Sequence, residues 1–410
     1  MIFTAPFVLL CTVSLCSTLV IYLVNPIFSD YAVAALGTTI GTAGVLVGMA
    51  NFGSLILFPF YGPANNRLDR KKLMMAAMLL MFVATVGYAT VTSIPLLMVF
   101  RLLLGFCTGI VNTTGMVMVV ETLPENRITQ GVGYYGLAGI VMGAVGPSIT
   151  IAIVDHFGYR MSFWMAAMSA LIGLVVAWKL PSSGPGQRGG ADAPAAVKSG
   201  TLTVGSLFRE MFARESLLPA SIGLMFAIAN AIQIAFMVPY GKVYGLEDGV
   251  GLYFLVLAAG SFSARLLFTK YMETKTIAFV AAAAGVFLIS MPLLLGLGRS
   301  MATMLLAGAA FGIGYGILLP VTQSTAVKFA PRHRRGSGSN TYFTAINLAF
   351  TLGPVMGGYM AQHFGYAHMF LALVVPSSLA VVLGLVKGRV PVSPEPSREQ
   401  IRADAEKNPG

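Results

Sequence analysis

The sequence is poor in charge, cysteine and histidine, and each shortage removes a class of function. Of its 410 residues only 10% are charged, less than half of the about 25% that an ordinary soluble domain carries. That excludes a soluble globular protein and a disordered chain. The net charge of +11 invites a nucleic-acid reading, but its distribution along the chain argues against one. The three cysteines, Cys11, Cys16 and Cys107, lie in apolar runs and offer neither a disulfide framework nor a zinc site. His156, His363 and His368 fall near expected helix ends and His333 in a basic loop, with no pair on one helix face beside carboxylates, so no metal is expected. A G-x-x-x-x-G-K-[ST] loop is missing, and with it direct use of ATP. No nucleophile–base pair is visible, so neither enzymatic activity nor a cofactor is expected. Asp and Glu are absent from the middle of every apolar run.

What is present is apolar length. Hydrophobic residues make up 56% of the chain and the mean hydropathy is +0.80. A helix needs about 20 apolar residues to cross a bilayer. Twelve such runs occur, near 5–28, 41–61, 73–92, 96–120, 132–154, 161–180, 217–240, 249–268, 277–297, 301–325, 341–362 and 367–387. They do not alternate as barrel strands would. The expectation is an all-α membrane protein of twelve transmembrane helices. The first run has no basic segment before it and no small-residue cleavage site after it, and reads as a retained span.

Charge sets the orientation. With both termini on one side, 22 of the 26 Lys and Arg fall there, all but Arg127 in clusters at 67–72, 179–214, 265–275, 328–335 and 387–407. The positive-inside rule puts that side in the cytoplasm. The stretch 181–215 is rich in Gly, Pro, Ala and Ser and reads as a cytoplasmic linker. It divides the chain into six-helix bundles at 1–180 and 216–390, followed by a polar tail at 391–410.

The halves repeat. At an offset of 207 residues, Gly105 and Gly109 align with Gly312 and Gly316, Gly146-Pro147 with Gly353-Pro354, and His156-Phe157-Gly158-Tyr159 with His363-Phe364-Gly365-Tyr366. Parallel six-span repeats with a substrate site between them describe one transporter architecture.

Several motifs resemble the major facilitator superfamily. After span two, GPANNRLDRKK is similar to that family's loop signature G-x-x-x-D-R-x-G-R-[RK]. Gly62, Arg67, Arg70 and Lys71 match, while Asn66 replaces the Asp and Asp69 the second Gly. RLLLGFCTG in span four is similar to R-x-x-x-G-x-x-x-G. GAVGPSIT in span five, with Gly143, Gly146 and Pro147, resembles the G-x-x-G-P motif of drug/proton-antiporter-like exporters, and LGPVMGG in span eleven is a fuller version. The resemblance implies two pseudo-symmetric six-helix bundles, alternating access, and a gating loop at Gly62, Asn66, Arg67, Arg70 and Lys71. Asn66 carries no charge, so a charge-paired form of that gate is not expected to be intact.

Ionisable residues inside a membrane are expensive and mark function. Arg101 lies within span four. On an ideal helix Gly105 falls about 40° and Asn112 about 20° from it, which predicts one shared face. Span one carries a polar stripe at Ser14, Thr18, Tyr22 and Asn25, with Asn25-Pro26 a kink. Asn230, Gln233, Tyr134, Tyr135, Gln323 and Asn347 complete the candidate substrate cavity. Hydrogen bonding of this kind also glues helices together. Asp30 and Glu121, at span ends, are the candidate proton carriers. The expected function is proton-coupled export of a small organic molecule by a monomer in a bacterial cytoplasmic membrane, with partners limited to solute, protons and lipid. Solute import and lipid flipping on the same fold are the alternatives.

Overall fold

A computed structural model describes residues 3–124, 127–181, 212–331 and 334–392, with the side chains of 58–67 and a few other positions outside the description. The linker core at 182–211, the tail at 393–410, His333 and the side chains of Gly62, Asn66 and Arg67 thus lie outside the described residues.

The described residues form twelve α-helices and no sheet: α1 (Ala5–Ala34), α2 (Ile40–Arg67), α3 (Arg70–Thr90), α4 (Ile94–Thr122), α5 (Ile128–Phe157), α6 (Tyr159–Trp178), α7 (Leu217–Tyr244), α8 (Glu247–Glu273), α9 (Ile277–Leu297), α10 (Met301–Phe329), α11 (Arg335–Ala372) and α12 (Val374–Lys387). Eleven stretches are long and apolar enough to cross a membrane. The last, Gly336–Lys387, runs 52 residues, about 78 Å of helix, and bends at Gly365, where φ is +80°. It therefore makes two passes. The +78° φ of Gly158 forms the same joint between α5 and α6. Both glycines belong to the His-Phe-Gly-Tyr repeat, and a residue with a Cβ would be strained in that conformation.

Local chemistry explains several boundaries. The Asp69 carboxylate accepts from the backbone N–H of Lys71 (2.9 Å) and Lys72 (3.3 Å) and caps α3. Ser300 and Thr303 form a reciprocal capping box on α10. The segment after span two, expected as a loop, is instead helical backbone to Arg67.

Six helices pack into each half, and the packing itself repeats. A Cβ on Gly105 of α4 would overlap the Ala50 carbonyl of α2, and one on Gly312 of α10 would overlap the Leu257 carbonyl of α8. Each pair is the other displaced by 207 residues. These glycines are fixed by backbone-to-backbone approach, which only a missing side chain permits.

Candidate functional site

The halves meet at one end. Odd-numbered helices of the first half finish, and even-numbered ones start, at the end opposite the chain termini, here the far end. There α2 packs on α11, α5 on α8 and α1 on α7. Ser148 and Pro354, one residue from each repeated Gly-Pro region, reach into this seam. Ser148, after Pro147, donates its hydroxyl to the Gly251 carbonyl of α8 (2.8 Å). The Pro354 carbonyl fills the space where Gly44 of α2 would carry a Cβ. The Gly41 N–H donates to Gln362 Oε1 (3.0 Å), and Ser29 Oγ bonds the Ala235 carbonyl. Gly143 and Gly146 do different work, making room for the Tyr22 ring of α1, while Gly353 packs on Ala231 and Ile228 of α7.

Asp30 closes the seam electrostatically. Its carboxylate, 5% exposed, accepts from Lys242 Nζ of α7 (2.7 Å) and from the Tyr159 hydroxyl, and Lys242 also donates to Tyr159 (3.0 Å). Tyr366, the repeat partner of Tyr159, lies within electrostatic reach of the same carboxylate, as does Asp155. The two tyrosines of the repeat thus converge on one acid. Sequence reading found Asp30 but neither Lys242 nor Tyr159, which are 212 and 129 residues away. The repeated Tyr was the available signal.

Glu121, the second acid, pairs with Arg70. This joins α4 to α3 inside the first half, so Arg70 makes a contact within one bundle. Lys71 sits beside it in the first turn of α3 and gives its backbone N–H to Asp69.

Arg101 is fully buried in the first half rather than on the surface between the halves. Its guanidinium carbon sits 3.4 Å from the Phe28 ring centroid and 5.6 Å from that of Tyr88, and Nη1 donates to Asn25 Oδ1 (2.6 Å). Its Nε and Nη2 have no hydrogen-bond partner. The ring faces offset part of that cost. The structure does not bring Arg101 and Asn112 together: Gly105 abuts Ala50, whereas Asn112 is exposed. Arg101 donates to the half-buried Asn25 and so orients its amide.

The second half contributes a linked polar group. Gln233 Nε2 donates to Asn230 Oδ1 (2.8 Å), and Tyr253 donates its hydroxyl to Gln233 Oε1. Tyr315 reaches Asn230 and comes within electrostatic reach of Tyr22 in the opposite half. Tyr22, Asn25, Asn230, Tyr315, Gln323 and Asn347 are all half-buried. Tyr134 is exposed and packs on Phe3 near the start of α1; Tyr135 is buried against Gly115 and Ser14. Among the described residues no three His, Cys, Asp or Glu side chains gather as a metal site.

The family model described as Major Facilitator Superfamily matches residues 10–303 and 277–408. An uncharacterized MFS-type transporter of Methanocaldococcus jannaschii is 21% identical over 88% of this chain and 92% of its own length. One from Burkholderia mallei is 23% identical over 86% and 84%. Among solved structures, a bacterial homolog of the human lysosomal transporter Spinster superposes with a TM-score of 0.74 at 14% identity, covering 93% of this chain and 96% of its own. A D-xylose–proton symporter does so with a TM-score of 0.70 at 16% identity, covering 95% and 98%. The chain belongs to the major facilitator superfamily and is a transporter of that type.

Proposed function

We propose that this transporter works by alternating access, driven by protons, and exports a small organic molecule across a cytoplasmic membrane. The observation that carries the reading is the Asp30–Tyr159–Lys242 cluster. It ties α1 and α6 of one half to α7 of the other at the far end, where the described polar contacts between the halves are gathered. Such a seam is shut in one state and must part in the other. The charge distribution supports a far end that faces outside, with the termini, linker and tail in the cytoplasm; on that reading the sealed state opens inward.

Asp30 is the better placed of the two acids to couple protons to this motion. Ionised, it holds Lys242 and Tyr159 and favours the shut state. Protonated, it loses the charge that holds Lys242, and the seam loosens. Glu121 acts at the opposite end, where its ion pair with Arg70 makes the geometry of the α2–α3 connection depend on its charge. The substrate contacts the half-buried amides and phenols between the halves, Tyr22, Asn25, Asn230 and Tyr315.

Export rests on the Gly-x-x-Gly-Pro resemblance in α5. Import is the competing reading, and a fold similar to a D-xylose–proton symporter keeps it in play. Comparing metabolites in the medium of cells with and without the gene separates the two. Export predicts a compound that disappears from the medium when the gene is deleted; a compound that instead remains unconsumed in the medium would establish import.

A further inference from the structure

The described residues hold two guanidiniums inside apolar helix, and their surroundings differ. Arg101 is enclosed, and its one polar partner is Asn25. Arg265 lies in α8, eight residues before its last residue Glu273, about 12 Å along the axis. Leu266 and Leu267 beside it are 69% and 70% exposed and mark the lipid-facing side of the helix. Ala264 is buried, and the Ser261 carbonyl, one turn earlier, abuts Gly316 of α10. Arg265 is only half-buried, and its Nε is sealed from solvent without a hydrogen-bond partner. Neither ion pair of the described residues involves it.

Its neighbours are phenols. Arg265 lies within electrostatic reach of Tyr315 and of Tyr342. The Tyr342 hydroxyl is already engaged by Thr322 (3.0 Å) and the Leu319 carbonyl (3.3 Å), and that of Tyr315 by Asn230. Tyr315 also stacks on Phe311, with centroids 5.3 Å apart and planes at 17°. An aromatic wall, an amide and an uncompensated cation therefore stand together on the second half. A guanidinium inside the apolar stretch Glu247–Phe268, three residues before its end, is unfavourable without a counter-charge unless something supplies one, and its planar fork matches a carboxylate bidentately.

We propose that Arg265 recognises the negative charge of the transported solute, a small organic anion whose apolar or aromatic body lies against Tyr315. The proposal rests on the reading of the chain as a solute transporter and adds the substrate's chemical class. The test uses the full-length protein in phosphatidylcholine nanodiscs and a panel of small aromatic acids, each with its neutral amide and its amine: benzoate, benzamide and benzylamine, then the phenylacetic and cinnamic series. Thermal stability is followed against concentration for wild type, Arg265→Gln and Arg265→Lys. Acids are expected to stabilise wild type in preference to their amides and amines. Arg265→Gln should weaken acid binding about 30-fold or more, and Arg265→Lys should fall between. If Arg265→Gln does not fold, the acid preference of wild type and its reduction in Arg265→Lys carry the test. Panels in which no acid is preferred, or in which the variants respond as wild type does, overturn the proposal. So does stabilisation by phosphatidylglycerol nanodiscs that requires Arg265 while soluble acids have no effect, which would make the site one for lipid headgroups. Binding needs no transport, so these outcomes bear on Arg265 alone. A failure of wild-type vesicles to move a bound acid would instead overturn the transporter reading.

Discussion

Asp30 and Arg101 are both charged, both buried and both in the first half, yet their loss should have different consequences. Asp30 spans the seam. Replacing it with Asn keeps a hydrogen-bonding group for Tyr159 but removes the charge that holds Lys242. Truncating a buried charge pair costs about 2–5 kcal/mol; with the Lys242 side chain 45% exposed, solvent screening reduces this to roughly 1 kcal/mol, about a fivefold shift in the open population. Cysteine labelling from the far side should quicken in Asp30→Asn, and an unchanged rate would remove Asp30 from the seal. Arg101 braces one bundle. Arg101→Ala leaves a void against Phe28 and frees Asn25, a loss of about 3 kcal/mol or more. Arg101→Lys should also lower the melting temperature, because an ammonium cannot lie flat on a ring as the guanidinium does. If both variants melt like wild type and lose only solute binding, Arg101 contacts the solute after all.

At the scale of the helix, glycines with similar sequence surroundings divide by what they touch. Gly105 meets Ala50 within the first half, so Gly105→Ala forces apart two helices that never separate, and the expected result is poor folding. Gly44 meets Pro354 across the seam. Gly44→Ala leaves each bundle intact and penalises only the shut state, so it should fold, melt near wild type and expose the far end. Circular dichroism together with far-side labelling checks both. If Gly44→Ala unfolds the protein and Gly105→Ala does not, the assignment of seam and core is reversed. Helices were the most legible feature of the sequence, because apolar length and turn glycines act locally. The second joint at Gly365 was legible through its repeat of Gly158. What a helix face meets was not. Arg101, Gly105 and Asn112 share a helical face on paper, but over the roughly 16 Å between Arg101 and Asn112 the neighbouring helix changes. Arg101 meets α1 and α3, Gly105 meets α2, and Asn112 is exposed.

At the scale of the molecule, the offset of 207 residues organises both structure and function. It relates the α2–α4 crossing to the α8–α10 crossing, and the two His-Phe-Gly-Tyr joints whose tyrosines flank Asp30. Pairing across the halves was invisible in the sequence because it depends on long-range docking. Lys242 reads as one of three cations, with Arg160 and Arg299, on the side opposite the termini until α7 is set beside α1. Arg265 falls into the basic cluster 265–275 that marks topology, until α8 is seen to continue past it to Glu273. The central claim is that two rigid halves, shut at the far end by the Asp30 cluster, rock against each other. It is tested most directly by electron–electron distance measurements on two nitroxide pairs in vesicles. One pair, Arg160 and Val243, spans the far end; the other, Leu68 and Arg214, spans the terminal end; all four residues are exposed, and Cys11 is replaced to avoid stray labelling. Lowering the pH on the far side should lengthen the first distance and shorten the second in the same population of molecules, and Asp30→Asn should start with a larger share of the lengthened state. Two distances that stay fixed, or that change in the same direction, would contradict the account.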